Sequence, residues 1–205
     1  STDVIRKTFD CTTQLARMPN SERLKRHFKS PHPALNVLRR DEPLATDTVY
    51  SDTPAIFGGE QIAQFYVGLR TQVCDVYGIK SEKQFVNTLA DNIRERGAMN
   101  VLNSYKAAYQ ISKKVLEILR SLYIAANQSE PYHQNQNKAE NRYGMVKRWI
   151  NTIMNLSGCI AAAWFLCTEY GVHVINHLAS PTLKGKTPLQ ALTGQTPDIS
   201  QLMYF

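Results

Sequence analysis

The apolar positions switch between a short and a long period along the chain. From residue 48 to residue 79 they come in brief runs rich in β-branched and aromatic side chains. Thr48, Val49 and Tyr50, continued by Ile56, predict a first strand. Residues 63–69 and 72–79 predict two more, around Gln-Phe-Tyr-Val-Gly and Val-Cys-Asp-Val-Tyr-Gly. From Ser81 the period lengthens, and Phe85, Leu89 and Ile93 fall on one face of a helix that Gly97 stops. Residues 99–103 predict a fourth strand. Ile111, Val115, Ile118, Leu119 and Leu122 recur at three and four, which predicts a helix over 111–122, and residues 123–125 predict a fifth strand. A polar stretch over 127–137 separates these from two helices over 138–156 and 159–177. Pro181 and Pro188 confine the rest to loop and a short helix near 189–192. The order, three strands, helix, strand, helix, strand, helix, helix, is that of an α/β chain whose opening meander belongs to a five-stranded mixed sheet flanked by helices.

Residues 1–45 differ in character. They carry scattered cations (Arg23, Lys25, Arg26, Lys29, Arg39, Arg40), four prolines and little sustained periodicity, with one weak helix expected over 21–29. The expected organisation is an N-terminal segment, 1–45, dispensable for the folding of a core domain, 46–205.

At 205 residues and 43% hydrophobic, the chain is long and apolar enough for an ordinary core. It has no run of eighteen apolar residues and no signal-like N-terminus, so no membrane span is expected, and the setting expected is nuclear or cytoplasmic. Cys11, Cys74, Cys159 and Cys167 form no CxxC and no close pair in the sequence, which predicts reduced thiols. The formal charge of +7 favours an acidic partner, and nucleic acid is the commonest.

Two carboxylates stand at suggestive places. Asp52 ends the first strand and Glu140 opens the long helix. Each has an ordinary structural reading: an acid in a first turn complements the helix dipole by about 0.3–1 kcal/mol, and an aspartate before Thr-Pro suits a turn. Along the 138–156 helix, Val146, Trp149, Ile150 and Ile153 build one apolar stripe. Glu140, Gly144, Lys147 and Asn151 line another face, with Lys138, Arg142 and Arg148 nearby. Such a helix either follows a phosphate backbone with its cations, Lys138, Arg142, Lys147 and Arg148, or is simply a solvated face.

Three ordered segments carry a resemblance. Pro131-Tyr-His-Gln-Asn-Gln-Asn-Lys-Ala-Glu140 resembles the segment that ends in the catalytic glutamate of copia-type retrotransposon integrases, roughly P-x-x-Q-x-N-G-x-A-E. Leu183-Lys-Gly-Lys-Thr-Pro-Leu-Gln-Ala-Leu-Thr-Gly194, preceded by Ile175-Asn-His-Leu178, is similar to that family's N-R plus G-K-T-P-x-E-x-x-x-G ending. Val49-Tyr-Ser-Asp52 resembles the first-strand aspartate segment, with Asp47 on the same strand as the alternative. The similarity spans residues 46–199. Gln136, Asn137, His177 and Gln190 depart from the usual Asn, Gly, Arg and Glu.

The resemblance implies an RNase H-like fold with a triad of two aspartates and a glutamate that holds two divalent ions, Mg²⁺ or Mn²⁺, for DNA strand transfer. It also implies a homo-oligomer acting on element ends and a target duplex. Asp52 and Glu140 are then the catalytic and metal-holding carboxylates. The second aspartate belongs at the end of the fourth strand, about thirty-five residues ahead of the glutamate; counted back from Glu140, that place holds Tyr105. A phenol, neutral at pH 7, is a poor Mg²⁺ ligand. The expectation is therefore an integrase-like, DNA-binding domain with a degenerate active site and weak or absent metal binding. The alternative is a repurposed, non-catalytic structural or protein-interaction domain.

Overall fold

The computed structural model describes residues 2–13, 31–104, 112–128 and 138–200. Its strands are β1 (Leu44–Tyr50), β2 (Ile62–Gly68), β3 (Cys74–Ile79), β4 (Val101–Ser104) and β5 (Ala125–Gln128), in the spatial order β3-β2-β1-β4-β5. β1, β2 and β3 pair antiparallel as a meander, while β4 and β5 add parallel to β1 and to each other. A parallel addition needs a crossover, and the helix α2 (Phe85–Arg96) leads into β4 and α3 (Lys113–Ser121) into β5. Then come α4 (Lys138–Ser157), α5 (Trp164–His177) and α6 (Pro188–Thr193), with α1 (Thr2–Asp10) at the N-terminus. From β1 onward the succession is the one the apolar periods predict.

The sheet is covered on both faces. Leu44 and Tyr66 pack with Phe85, Leu89 and Ile93 of α2 and with Val115 and Leu119 of α3. Their neighbours Ala45, Phe65 and Val67 point the other way, onto Ala139, Val146 and Ile150 of α4 and Phe165, Val172 and Ile175 of α5. All seven residues of β2 are buried, which is why this strand reads as an apolar run interrupted only by Gln64. Each large side chain sealed in these layers contributes roughly 1.5–3 kcal/mol.

β1 starts at Leu44, earlier than its β-branched run suggests. Its first half is polar but satisfied. The Thr46 hydroxyl donates to the Phe65 carbonyl at 2.9 Å. Fully buried Gln64 donates to the Asp47 carbonyl at 2.8 Å and accepts from the Thr48 hydroxyl at 2.6 Å. Ile56 lies outside the strand, 50% exposed in a turn.

The N-terminal residues are bonded to the core more closely than their composition suggests. The Thr8 hydroxyl of α1 accepts from the Ala179 amide at 2.9 Å. Thr13 exchanges backbone bonds with the Pro197 carbonyl and the Ile199 amide. Further along, Arg40 pairs with Glu42 in full burial, and Glu42 also accepts from the Thr71 amide at 2.9 Å and the Thr71 hydroxyl at 2.8 Å. A Cβ at Gly68 would stand 2.6 Å from both the Arg40 guanidinium and the Thr71 hydroxyl, so the network needs glycine there. The helix expected over 21–29 lies outside the described residues. Among the described residues no helix is long and apolar enough to cross a membrane.

Candidate functional site

Helix α4 docks on β1 and β2 through Ala139, Tyr143, Val146 and Ile150, a seam at spacings of four and three. Tyr143 meets Phe65 of β2 with ring centroids 5.3 Å apart. The seam differs from the predicted stripe. Trp149 is 39% exposed and Ile153 only half-buried, and Tyr143 and Met154 take their places against the sheet. Aromatic bulk marked Trp149 as core, but its side of the helix faces away from the strands.

The three acids of interest are placed differently. Asp47 follows Ala45 on β1 by two, so it lies on the face that α4 covers. Its charge adds to the effect of burial in pushing the Tyr143 phenol up. Glu140 is exposed in the first turn of α4, one turn ahead of Tyr143. Asp52 lies past the end of β1 on an exposed loop. With Lys147, Asn151, Ala161 and Trp164 it lines a groove of about 350 Å³. The wall of that groove is tied down where the Trp164 indole donates to the Thr53 carbonyl at 2.8 Å.

The parallel register of β1 and β4 ends on Thr46 beside Ser104. Asp47 and Tyr105 are the next residues of the two chains; Tyr105 itself, and most of the polar stretch before α4, lie outside the described residues. The signal that singles out Asp47 is strand alternation, which needs the true start of β1.

The cations also divide. Lys147 and Arg148 are exposed on α4. Arg142 is half-buried; burial pulls its guanidinium below the usual arginine value, partly offset by nearby Cys74. Its Nε is buried without a hydrogen-bond partner among the described residues. The backbone of Lys138 begins α4, and its side chain is outside the described set.

The C-terminal segment does structural work. Asn176 of α5 accepts from the Cys74 amide at 2.9 Å and donates to the Cys74 carbonyl at 2.6 Å, pinning the helix to edge strand β3. Thr187 caps α6 by accepting from the Gln190 amide at 3.0 Å, Pro188 takes the first helical position, and Gly194 ends the helix at φ +72°. The Lys-Thr-Pro of this segment therefore builds a helix start.

Asp47 and Glu140 offer the hard oxygen donors that suit Mg²⁺. Among the described residues, however, no group of three or more His, Cys, Asp or Glu is placed to hold a metal ion. Two carboxylates by themselves do not fit a pair of divalent ions.

No protein-family model matches the chain, and no curated protein matches it. Solved structures do. The simian T-cell lymphotropic virus intasome, in complex with a PP2A regulatory subunit, aligns at TM-score 0.63 and 16% identity over 77% of this chain and 55% of that one. This chain thus spans little more than half of that protein. The HTLV-2 integrase catalytic core domain in complex with magnesium aligns at TM-score 0.59 and 15% identity over 76% of this chain and 99% of that one. The catalytic core domain of BIV integrase aligns at 0.58 and 13% identity, over 75% and 94%. At these identities the likeness is one of fold. The chain has the RNase H-like fold of retroviral integrase catalytic cores.

Proposed function

We propose that this chain is the DNA-binding, integrase-like domain of a copia-type retroelement, with strand transfer impaired. What supports this reading is that Asp47 of β1 lies on the face of the sheet that α4 covers, that β4 ends at Ser104 beside Thr46 of β1, and that Glu140 stands in the first turn of α4. Tyr105 follows Ser104 in the sequence. Asp47 is the proposed first carboxylate in preference to Asp52, because it shares the face of α4. Asp52 is assigned to the neighbouring groove.

DNA is held mainly through phosphates by the exposed Lys147 and Arg148, with Lys138 joining them from the helix start. Arg142, half-buried on the same helix, adds little to that hold. Mg²⁺ or Mn²⁺ binds weakly or not at all with the tyrosine in place. A homo-oligomer accords with the dimeric and trimeric forms of the HTLV-2 core, and the setting that goes with this reading is nuclear or cytoplasmic.

Fluorescence anisotropy with duplex DNA across a salt series tests this. Affinity should fall steeply with salt, and Lys147→Glu with Arg148→Glu should flatten the log–log slope by roughly 0.9 for each lost phosphate contact. Unchanged affinity and slope would defeat the DNA reading. A second reading, a non-catalytic protein-interaction domain, is favoured by the apolar outer side of α4, where Met145, Trp149 and Leu156 are exposed. Absence of salt-sensitive DNA binding would decide for it.

A further inference from the structure

Two histidines stand one turn apart at the end of α5, and the second of them, His177, takes the place where the resembling segment has arginine. Positions four apart share a helix face. Here the two rings meet, with centres 4.4 Å apart and planes at 48°. His177 is buried and its orientation is set, because its Nδ1 lies 2.8 Å from the His173 carbonyl. A carbonyl only accepts, so Nδ1 carries the proton and Nε2 holds the lone pair of the neutral ring. A backbone carbonyl presets a metal-binding imidazole in the same way. His173 stands at the surface. Partial burial, and then His177, hold it below the ordinary imidazole pKa, so near neutral pH it too has a lone pair to give.

We propose that His173 and His177 are the two protein ligands of a divalent transition-metal site on the last turn of α5, separate from Asp47 and Glu140. A metal bound to an imidazole nitrogen at about 2.0–2.1 Å stands roughly 3.2 Å from that ring's centre. Ring centres 4.4 Å apart then meet a shared ion at roughly 90°, the cis angle of the square-planar or tetragonal shells of Ni²⁺ and Cu²⁺. Tetrahedral Zn²⁺ needs a wider angle. Among the described residues no third His, Cys, Asp or Glu joins the pair, so water completes the shell. The carbonyl end of the helix also favours a cation at this turn.

An ion here ties the last turn of α5 to the turn before it. Asn176, between the two ligands, holds both backbone groups of Cys74 on β3. Just beyond them the Ala179 amide donates to Thr8 of α1. The site therefore secures the junction where α5, the edge strand and the N-terminal helix meet.

The test titrates the whole chain with Ni²⁺, chosen because Cu²⁺ oxidises accessible thiols such as Cys159. Thermal unfolding and NMR of the histidine rings are the readouts. At about ten times its Kd the ion should raise the melting temperature by roughly 3–6 °C, and a chelator should reverse the rise. The ring signals of both His173 and His177 should shift or broaden together at one equivalent. His173→Ala, at an exposed position, should keep the metal-free melting temperature and weaken Ni²⁺ binding by about tenfold or more, whereas His32→Ala should leave it unchanged. Equal Ni²⁺ affinity in the parent and in His173→Ala would overturn the proposal, as would ring signals of His177 that ignore the ion. The ring signals of the parent decide the matter even if a variant fails to fold.

Discussion

Asp47 of β1 and Tyr143 of α4 share one face of the sheet, and the negative charge of Asp47, after burial, is the second cause that holds the phenol above the ordinary tyrosine pKa. The relationship links the strand that carries an acid to the helix that carries Glu140, across the face of the sheet that α4 covers.

Removing that charge should leave only burial acting on Tyr143. Asp47→Asn is expected to lower the phenol's pKa partway toward 10.0, its ordinary value, while Asp52→Asn leaves it where it is. An NMR titration of tyrosine-labelled protein reads this directly. A Tyr143 titration that ignores Asp47→Asn would separate the strand from the helix and remove the support for Asp47 as the site's first carboxylate.

The two kinds of cation on α4 should respond in opposite ways. Arg142 has a buried Nε with no partner among the described residues, and desolvating such a group costs about 1–3 kcal/mol. Arg142→Met should therefore raise the melting temperature and change DNA affinity little. Lys147→Met, at an exposed position, should leave stability alone and weaken DNA binding. Calorimetry alongside anisotropy checks both, and the reverse pattern would assign the phosphate contact to Arg142.

Tyr105→Asp should rebuild a third carboxylate beside Asp47 and Glu140. Without metal, a further negative charge within about 4–6 Å of two others raises the pKa of one of them. The variant should then be less stable than the parent at neutral pH, by about 1 kcal/mol or more. Mg²⁺ or Mn²⁺ should reverse that order, because an ion that binds only the folded state stabilises it. The lost tyrosine ring also costs stability, so the diagnostic is the metal-induced melting shift. Equal shifts in parent and variant would place Tyr105 away from the site.

The buried Arg40–Glu42 pair makes the segment before β1 part of the core's stability. Burial alone would raise the Glu42 pKa, but the Thr71 amide and the Arg40 charge outweigh it and the net shift is downward from 4.5. A carboxylate depressed on folding stabilises the folded state above its unfolded pKa and loses that contribution as pH falls through the folded value. Melting temperature should thus hold above about pH 4.5 and decline below it. Glu42→Gln should flatten this decline and cost about 3–5 kcal/mol at neutral pH, because it leaves Arg40 buried without its partner. Deleting residues 1–40 should lower the melting temperature too, since it strips Glu42 of Arg40 and Ala179 of its bond to Thr8. A truncated chain as stable as the full one would show that these contacts contribute nothing net.

Much of the architecture was written in apolar periodicity. Phe85, Leu89 and Ile93 announce α2, and Val115, Ile118 and Leu119 announce α3, because one face of each helix must meet the sheet. The run from Ala63 to Gly68 announces a strand covered on both sides. The start of β1 was hidden, because Thr46 and Asp47 look like loop residues until Gln64 and Phe65 satisfy their polar atoms. Helix α1 was hidden as well: it is short and weakly apolar, and its anchor is a hydrogen bond to Ala179, far away in the chain.

The sequence by itself determined the order of strands and helices, the positive charge, and the absence of an aspartate at position 105. These are properties of neighbouring residues or of simple counts. Only the tertiary structure decided that Asp47 faces α4 and that Arg142 is drawn inward while Lys147 is not. The reason is register. A strand shifted by one residue turns every side chain to the other face, and a helix rotated by one position exchanges a solvated cation for a buried one. Both are set by packing between segments that the sequence holds apart.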